Sequence, residues 1–283
     1  MTVEAVEPLR QTLSRGGSLG ARRHLAAASS RLYSFTLMLA GVAGLLALWQ
    51  LGGWLVASDP RTAAFAGFAP LPTLTRLAQM TGSGDVWRMT GPSLWRVGSG
   101  LFWAVAVGAP LGILISRSRI ARQVMNLPFQ FLRMISPLAW MPVSVLAFST
   151  WEGAIVFLIA VAAVWPVLFS TAAGVRRIDP AWFKVARNLG AGRRHILTAV
   201  ILPAIAQDIL TGVRLALGVG WIVLVPAEYL GVKSGLGYAI NDARDTLEYD
   251  RLAATVLVIG AIGFLLDAAC LALLRRFSWQ REQ

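Results

Sequence analysis

The sequence predicts an all-α, polytopic membrane protein of six transmembrane helices, and three observations carry that prediction. The first is composition: of 283 residues 56% are hydrophobic and only 14% charged, with a mean hydropathy of +0.63, a balance foreign to soluble domains. The second is length. Six apolar runs, at 33–57, 94–115, 129–148, 154–175, 209–230 and 252–274, each approach the ~20 residues that a helix needs to cross the hydrocarbon core. The third is charge placement: seventeen Lys and Arg residues fall on the side that holds both termini and seven on the other. The positive-inside bias therefore places both termini in the cytoplasm.

Taken in order, residues 1–31 carry five Arg among Ala, Ser and Gly without an apolar period, which predicts a flexible cytoplasmic tail ahead of a membrane domain over 32–283. Glu4 and Glu7, and the length of the run that follows, argue against a cleaved leader. After the first span, Thr73, Leu74, Leu77 and Met80 have the spacing of a short amphipathic helix, expected to cover the side of the bundle. Pro137 and Pro142 interrupt the third span, Pro166 the fourth and Pro226 the fifth, and Gly212, Gly218 and Gly220 crowd the fifth. Broken helices at membrane depth are tolerated where they are buried or line a wet cavity. Spans three to five are thus expected to surround a pathway, with Trp140, Ser144, Trp165, Ser170, Thr211, Trp221 and Glu228 as candidate linings.

Between spans four and five lies a charged island, residues 176–203. Asp179 suits an N-cap and Pro180 the first helical turn. Trp182, Val185, Ala186 and Leu189 then fall on one face, with Lys184, Arg187 and Asn188 on the other. Gly190 stands where a helix C-terminus needs a left-handed residue, and a second short helix is expected from Arg193 to Pro203. The last loop, 231–251, carries Asp242, Asp245, Glu248 and Asp250 against three bases. Within the spans, Arg214 and Asp267 lie about 8 and 10 Å from the same boundary at 1.5 Å per residue. Opposite charges at matching depth are natural partners, which predicts a structural ion pair, with Arg133 as the alternative base. Glu228 is expected to meet a base of the outer loops, Arg96 or Arg244, or one on a partner protein.

Composition also narrows the function. The single cysteine, Cys270, excludes an intramolecular disulfide framework. Neither lysine, Lys184 or Lys233, lies in a G-x-x-x-x-G-K-[ST] phosphate loop, so an ATPase of that type must be a separate chain. Paired intramembrane histidines for redox work are missing, since His24 and His195 both sit beside Arg in charged segments. No metal site is expected, membrane lipid is an expected partner and nucleic acid is not.

The island resembles the EAA loop of binding-protein-dependent ABC importer permeases, Glu-Ala-Ala, three residues, Gly, nine residues, Ile-x-Leu-Pro. Ala186, Gly190, Leu202 and Pro203 match it, with Val200 for the Ile, Lys184 for the Glu and Val185 for the first Ala. The strings SPLAWMPVSVLAF, VWPVLFSTAAGV and LTGVRLALGVGWIVLVPAEYL followed by GLGYAI extend the resemblance over roughly 71–279, to the nitrate/sulfonate/taurine/bicarbonate branch. The resemblance implies a type I importer fold with a cytoplasmic coupling helix, in which Trp182, Ala186, Arg187, Leu189, Gly190 and Pro203 contact the ATPase. It implies a second permease copy, two ATP-binding subunits that hold ATP and Mg, an extracytoplasmic substrate-binding protein, and a place in the bacterial inner membrane. Trp165-Pro166 and the run 139–142 lean towards nitrate or bicarbonate as the small oxyanion carried by alternating access, with sulfonates and taurine close behind. The alternatives are a permease for another small solute, such as a pyrimidine precursor, and a non-transporting membrane enzyme.

Overall fold

The computed structural model describes residues 33 and 35–278, so the expected tail, 1–31, lies outside the described residues. These residues form helices and the loops between them, in two compact units divided after Leu71. In the first unit α1 (Phe35–Ser58) is long and apolar enough to cross a membrane. A 3-10 turn, Ala63–Phe68, follows it, and the Trp49 indole N–H donates to the carbonyl of Phe68 at 2.7 Å.

The second unit is organised around α6 (Trp151–Arg177), which packs against α3 (Asp85–Arg117) on one side and α9 (Leu202–Gly231) on the other. Thr150 caps α6, its hydroxyl accepting from the Gly153 N–H at 3.2 Å. Ile155, Leu158, Ile159, Leu168 and Leu224 are excluded from solvent between the three helices. Small residues bring the backbones together: a Cβ on Gly112 would stand 2.6 Å from the Leu168 carbonyl oxygen, and one on Gly212 3.2 Å from that of Pro166.

That packing corrects the expectation of breaks at Pro166 and Pro226, because α6 and α9 run through both prolines. An interior proline costs ~3 kcal/mol, whereas each fully buried Leu or Ile returns ~1.5–3 kcal/mol. Ile155, Leu158, Ile159 and Leu168 along α6, and Ile205, Leu217 and Leu224 along α9, decide the balance. For the same reason α3 begins nine residues before its expected start at 94 and passes through Pro92, burying Met89, Thr90, Ser93 and Arg96.

The third apolar run does break. It is divided between α4 (Arg119–Met134), capped by the Ser118 hydroxyl, and α5 (Met141–Ala147), and the two meet at 90° across a 3-10 turn, Pro137–Trp140. Among the described residues five helices are therefore long and apolar enough to span a membrane, or six if the bent pair is one span.

The island behaves differently from its expected form at its second half. After α7 (Pro180–Asn188), α8 (Arg193–His195) does not stop at Pro203 but runs through a π turn, Ile196–Ile201, straight into α9. Pro203 has no N–H, and its ring would strike the carbonyl four residues back in an α-helix. The wider π turn resolves both, and the Leu202 N–H reaches the carbonyl of Leu197.

The expected last loop is in large part a helix, α10 (Leu236–Asp245), whose Leu236, Ala239 and Ala243 are buried. With Met80 of α2 (Pro70–Gly82), Met89 of α3, and Ala254 and Val258 of α11 (Tyr249–Ser278), Leu236 and Ala239 form a separate core cluster. The covering role expected of α2 is visible in the burial of Thr73 and Met80.

Candidate functional site: a coupling groove and a buried clasp

At one end of the bundle the island folds into a groove. The Asp179 carboxylate accepts from the Ala181 N–H at 2.8 Å and starts α7 with Pro180 in its first turn. Gly190 ends it, at φ +78. The Gly190 N–H donates to Arg187 O and the Ala191 N–H to Ala186 O, each at 3.0 Å, the paired bonds of a Schellman close. Phe183, Ala186 and Ala191 then face inward against Ile196, Ile201 and Ile205. The remaining apolar residues of the helix do not: Trp182 and Val185 are 57% exposed and Leu189 82%.

The groove so formed encloses about 1490 Å3 between the end of α6, α7 and the start of α9. Trp182, Ala186, Leu189, Gly190 and Pro203 all line it, together with Thr211. Arg187 does not; its Nε–H folds back on the carbonyl of Phe183 at 3.1 Å. Where α6 meets α9 beside the groove, Arg177 pairs with Asp208, whose carboxylate lies against the open flank of Gly174.

At the opposite end of α9 lies a charge cluster whose central pair is excluded from solvent. Arg96 and Glu228 both have no exposed side-chain surface, and Arg96 spends all five N–H donors. Nη1 donates to Glu228 Oε1 at 2.5 Å and to Ser234 O at 2.8 Å, Nη2 to Ser234 Oγ at 2.9 Å and to Glu152, and Nε to Glu152 Oε2 at 2.8 Å. Glu228 is completed by the Ser93 hydroxyl, 2.8 and 2.9 Å from its two oxygens, and by the Gly237 N–H at 2.9 Å. Ser93 in turn accepts from the Leu236 N–H at 2.9 Å. One guanidinium thereby joins α3, the start of α6, the end of α9 and the chain entering α10.

Only glycine fits where that chain passes the pair. Gly235 has φ +107, and a Cβ there would lie 2.5 Å from the Glu228 oxygens and 2.6 Å from Arg96 Nη1. The GLGYAI string is explained by this passage. Sequence reasoning offered Arg96 as one of several partners for Glu228 and missed Glu152, Ser93 and Ser234. The available signals were an Arg just inside an apolar run and two glycines flanking Leu236.

The other intramembrane pair is bidentate. Arg214 Nε and Nη2 donate to Asp267 Oδ1 and Oδ2 at 2.7 and 2.8 Å. It is not buried within this chain, with the two side chains 34% and 52% exposed, while Arg133 stands 5.4 Å over the Phe169 ring. The candidate pathway residues do not converge on one cavity. Ser144 is buried and donates to Met141 O at 2.8 Å; Trp140 and Trp221 pack on the α3–α6–α9 core. Trp165 packs between Phe129 and Phe169, Ser170 faces Gly212 of α9, and Glu228 is held in the clasp. Thr211 alone of the set is exposed.

A set of helices long and apolar enough to span a membrane, one of them broken at right angles, with a capped amphipathic turn defines a polytopic membrane protein. The chain belongs to the family of binding-protein-dependent transport system inner membrane components, whose model matches residues 104–279, and it is accordingly an ABC transporter permease of the inner membrane. It is 35% identical over 249 residues to the bicarbonate transport system permease protein CmpB of Synechococcus elongatus, covering 84% of this chain and 87% of that one. It is 34% identical over 253 residues to the taurine transport system permease protein TauC of Escherichia coli, with 87% and 90% covered. The nitrate import permease protein NrtB of Leptolyngbya laminosa is 37% identical over 188 residues, 66% of this chain and 67% of that one. In fold the chain is similar to the inward-facing MetNI methionine ABC transporter, with a TM-score of 0.56 and 17% identity over 66% of this chain and 93% of that one.

Proposed function

We propose that this permease passes a small oxyanion inward by alternating access, driven by a separate pair of ATP-binding subunits that dock on the 176–203 segment. One observation carries the reading. Trp182, Val185 and Leu189 form an apolar ridge left open on a helix whose adjoining flank is anchored by Phe183 and Ala186, at the place where the EAA pattern falls. An open ridge of this kind suits a protein partner. The two lysines lie outside any phosphate loop, so ATP and Mg would be held by that partner.

The Trp165-Pro166 pair and the run 139–142 favour bicarbonate and nitrate as substrates, and taurine or another sulfonate is the nearest competitor, because permeases named for all three are comparably similar to this chain. A second permease copy would complete the pathway, and its surface would cover the half-exposed Arg214–Asp267 pair. The charge bias between loops supports placing the groove in the cytoplasm and the clasp on the outer face.

Gly190→Val tests the docking assignment. A β-branched residue at φ +78 costs about 1–2 kcal/mol in the turn, and it should weaken ATPase capture and transport while membrane insertion is unchanged. Uptake of labelled bicarbonate, nitrate and taurine into proteoliposomes holding the whole complex would rank the substrates, and an unchanged Gly190→Val complex would sink the docking role.

A further inference from the structure

Leu247 stands at the turn between α10 and α11, and its backbone is unusual. Among the described residues it is the one non-glycine residue with positive φ, at 59°. The Leu247 N–H donates to Arg244 O at 3.1 Å and the Glu248 N–H to Ala243 O at 2.9 Å. These are the bonds of a Schellman close with leucine in the seat that glycine or asparagine normally takes. A leucine there is strained by its Cβ, and burial does not offset the strain, because the side chain is 67% exposed. Glycine would be more stable in the same turn. Strain of this sort persists where the surroundings over-determine it, and it gathers at functional sites.

The surroundings do over-determine it. The chain entering α10 is fixed by the Arg96 clasp, and the turn itself is tied down by Arg251 to Asp242 and Glu248 at 2.8 and 2.9 Å and by Arg76 to Glu248 at 2.9 Å. Arg244 pairs with Asp245 at 2.8 Å and lies 5.0 Å over the Tyr229 ring. The carboxylates of Asp242, Asp245 and Glu248 thus each have an arginine, and Asp250 lies 3.9 Å from Arg76, which leaves an ion-paired polar rim around one exposed apolar side chain. A protein interface has this anatomy, an apolar anchor inside a polar rim. Lipid does not suit it, since burying Leu247 in hydrocarbon would drag the half-exposed Arg244–Asp245 pair along.

We propose that Leu247 is the anchor by which the outer face of this permease engages a soluble extracytoplasmic substrate-binding protein, inserting into an apolar pocket on that partner. The inference rests on the importer reading above and adds the contact residue to it.

The test uses the full complex in lipid nanodiscs with the purified substrate-binding protein of the same importer. Leu247→Gly and Leu247→Asn relieve the strain and remove the anchor; Leu247→Met keeps both and serves as the control. Both anchor-less variants should unfold at or above the wild-type temperature and hydrolyse ATP at the wild-type basal rate. The binding-protein concentration that gives half-maximal stimulation should rise about tenfold or more, and Leu247→Met should behave as wild type. Wild-type stimulation in Leu247→Gly, or a loss of stability in it, would overturn the inference alone. A wild-type complex that the binding protein does not stimulate would remove the importer reading and the inference together.

Discussion

Replacing Arg96 by methionine should be among the most damaging single changes available in this chain. Methionine fills the path of the stem but leaves the Glu228 carboxylate, which has no solvent exposure, without a counter-charge. Breaking a buried pair from one side costs roughly 3–5 kcal/mol. Glu152 is the internal control: it shares the same guanidinium, but its side chain is 54% exposed, and losing an exposed partner costs roughly 0–1 kcal/mol. In a domain of this size 1 kcal/mol moves an unfolding midpoint by about 2–4 °C. Arg96→Met should therefore fall by roughly 6–20 °C and Glu152→Gln by no more than about 4 °C. Arg96→Met/Glu228→Gln should recover part of the loss, because no charge is then stranded. Thermal unfolding of the purified protein in detergent, followed by tryptophan fluorescence, reads these three and Glu228→Gln alone. A midpoint for Arg96→Met within the Glu152→Gln range, or a double mutant equal to the sum of the singles, would refute the clasp as an electrostatic unit.

Two further outcomes follow from other charges. For Asp267→Asn, Arg214→Gln and the double mutant, stability should be non-additive with a coupling of roughly 0.5–3 kcal/mol, measured on the assembled complex; strict additivity would mean that the bidentate contact contributes nothing. Glu248, outside the spans, is held below its ordinary pKa of 4.5 first by the hydrogen bond from Arg251 and then by the charge of Arg76, against the opposing effect of burial. A depressed carboxylate stabilises above its unfolded value and ceases to as pH falls through its folded one. The tie from α2 to the α10–α11 turn should accordingly be unchanged between neutral pH and about pH 5 and loosen only below the ordinary carboxylate range. Amide exchange at Leu247 and Glu248 that already accelerates at pH 6 would contradict this.

Much of the architecture could be read from the chain because its signals are local. The Asp179–Pro180 start and the Gly190 stop depend on a few neighbouring residues and appear where their chemistry places them, and each apolar run falls on a helix or, for the third, a bent helix pair. What escaped depends on distant partners. Pro166 and Pro226 read as breaks, yet α6 and α9 continue because burial between α3, α6 and α9 outweighs two missing hydrogen bonds. Pro203 read as a helix end, yet a π turn absorbs it. Segment 231–251 read as a charged loop, because half its polar residues are spent on one another and on Arg76, and only the tertiary structure reveals that. For the candidate site, the Arg214–Asp267 contact followed from depth alone. The saturation of Arg96 by three separate segments has no sequence spacing to betray it, and the strain at Leu247 leaves no trace in a sequence at all.

The π turn ahead of Pro203 has a mechanical consequence. Because it joins α8 to α9 without a gap, the helix from Arg193 to Tyr229 is one rod of 37 residues, roughly 55 Å long. Its first turns wall the groove and its last carries Glu228. A tilt of about 5° at one end of a rod that long displaces the other by roughly 5 Å, with no relay of side chains between them. The same turn is also the place where the rod's hydrogen-bond ladder changes register, so bending strain would collect there rather than along the apolar shaft. A gap of even two residues at Pro203 would have made a short helix, a hinge and a long helix, and a tilt at the groove would have been absorbed at the hinge.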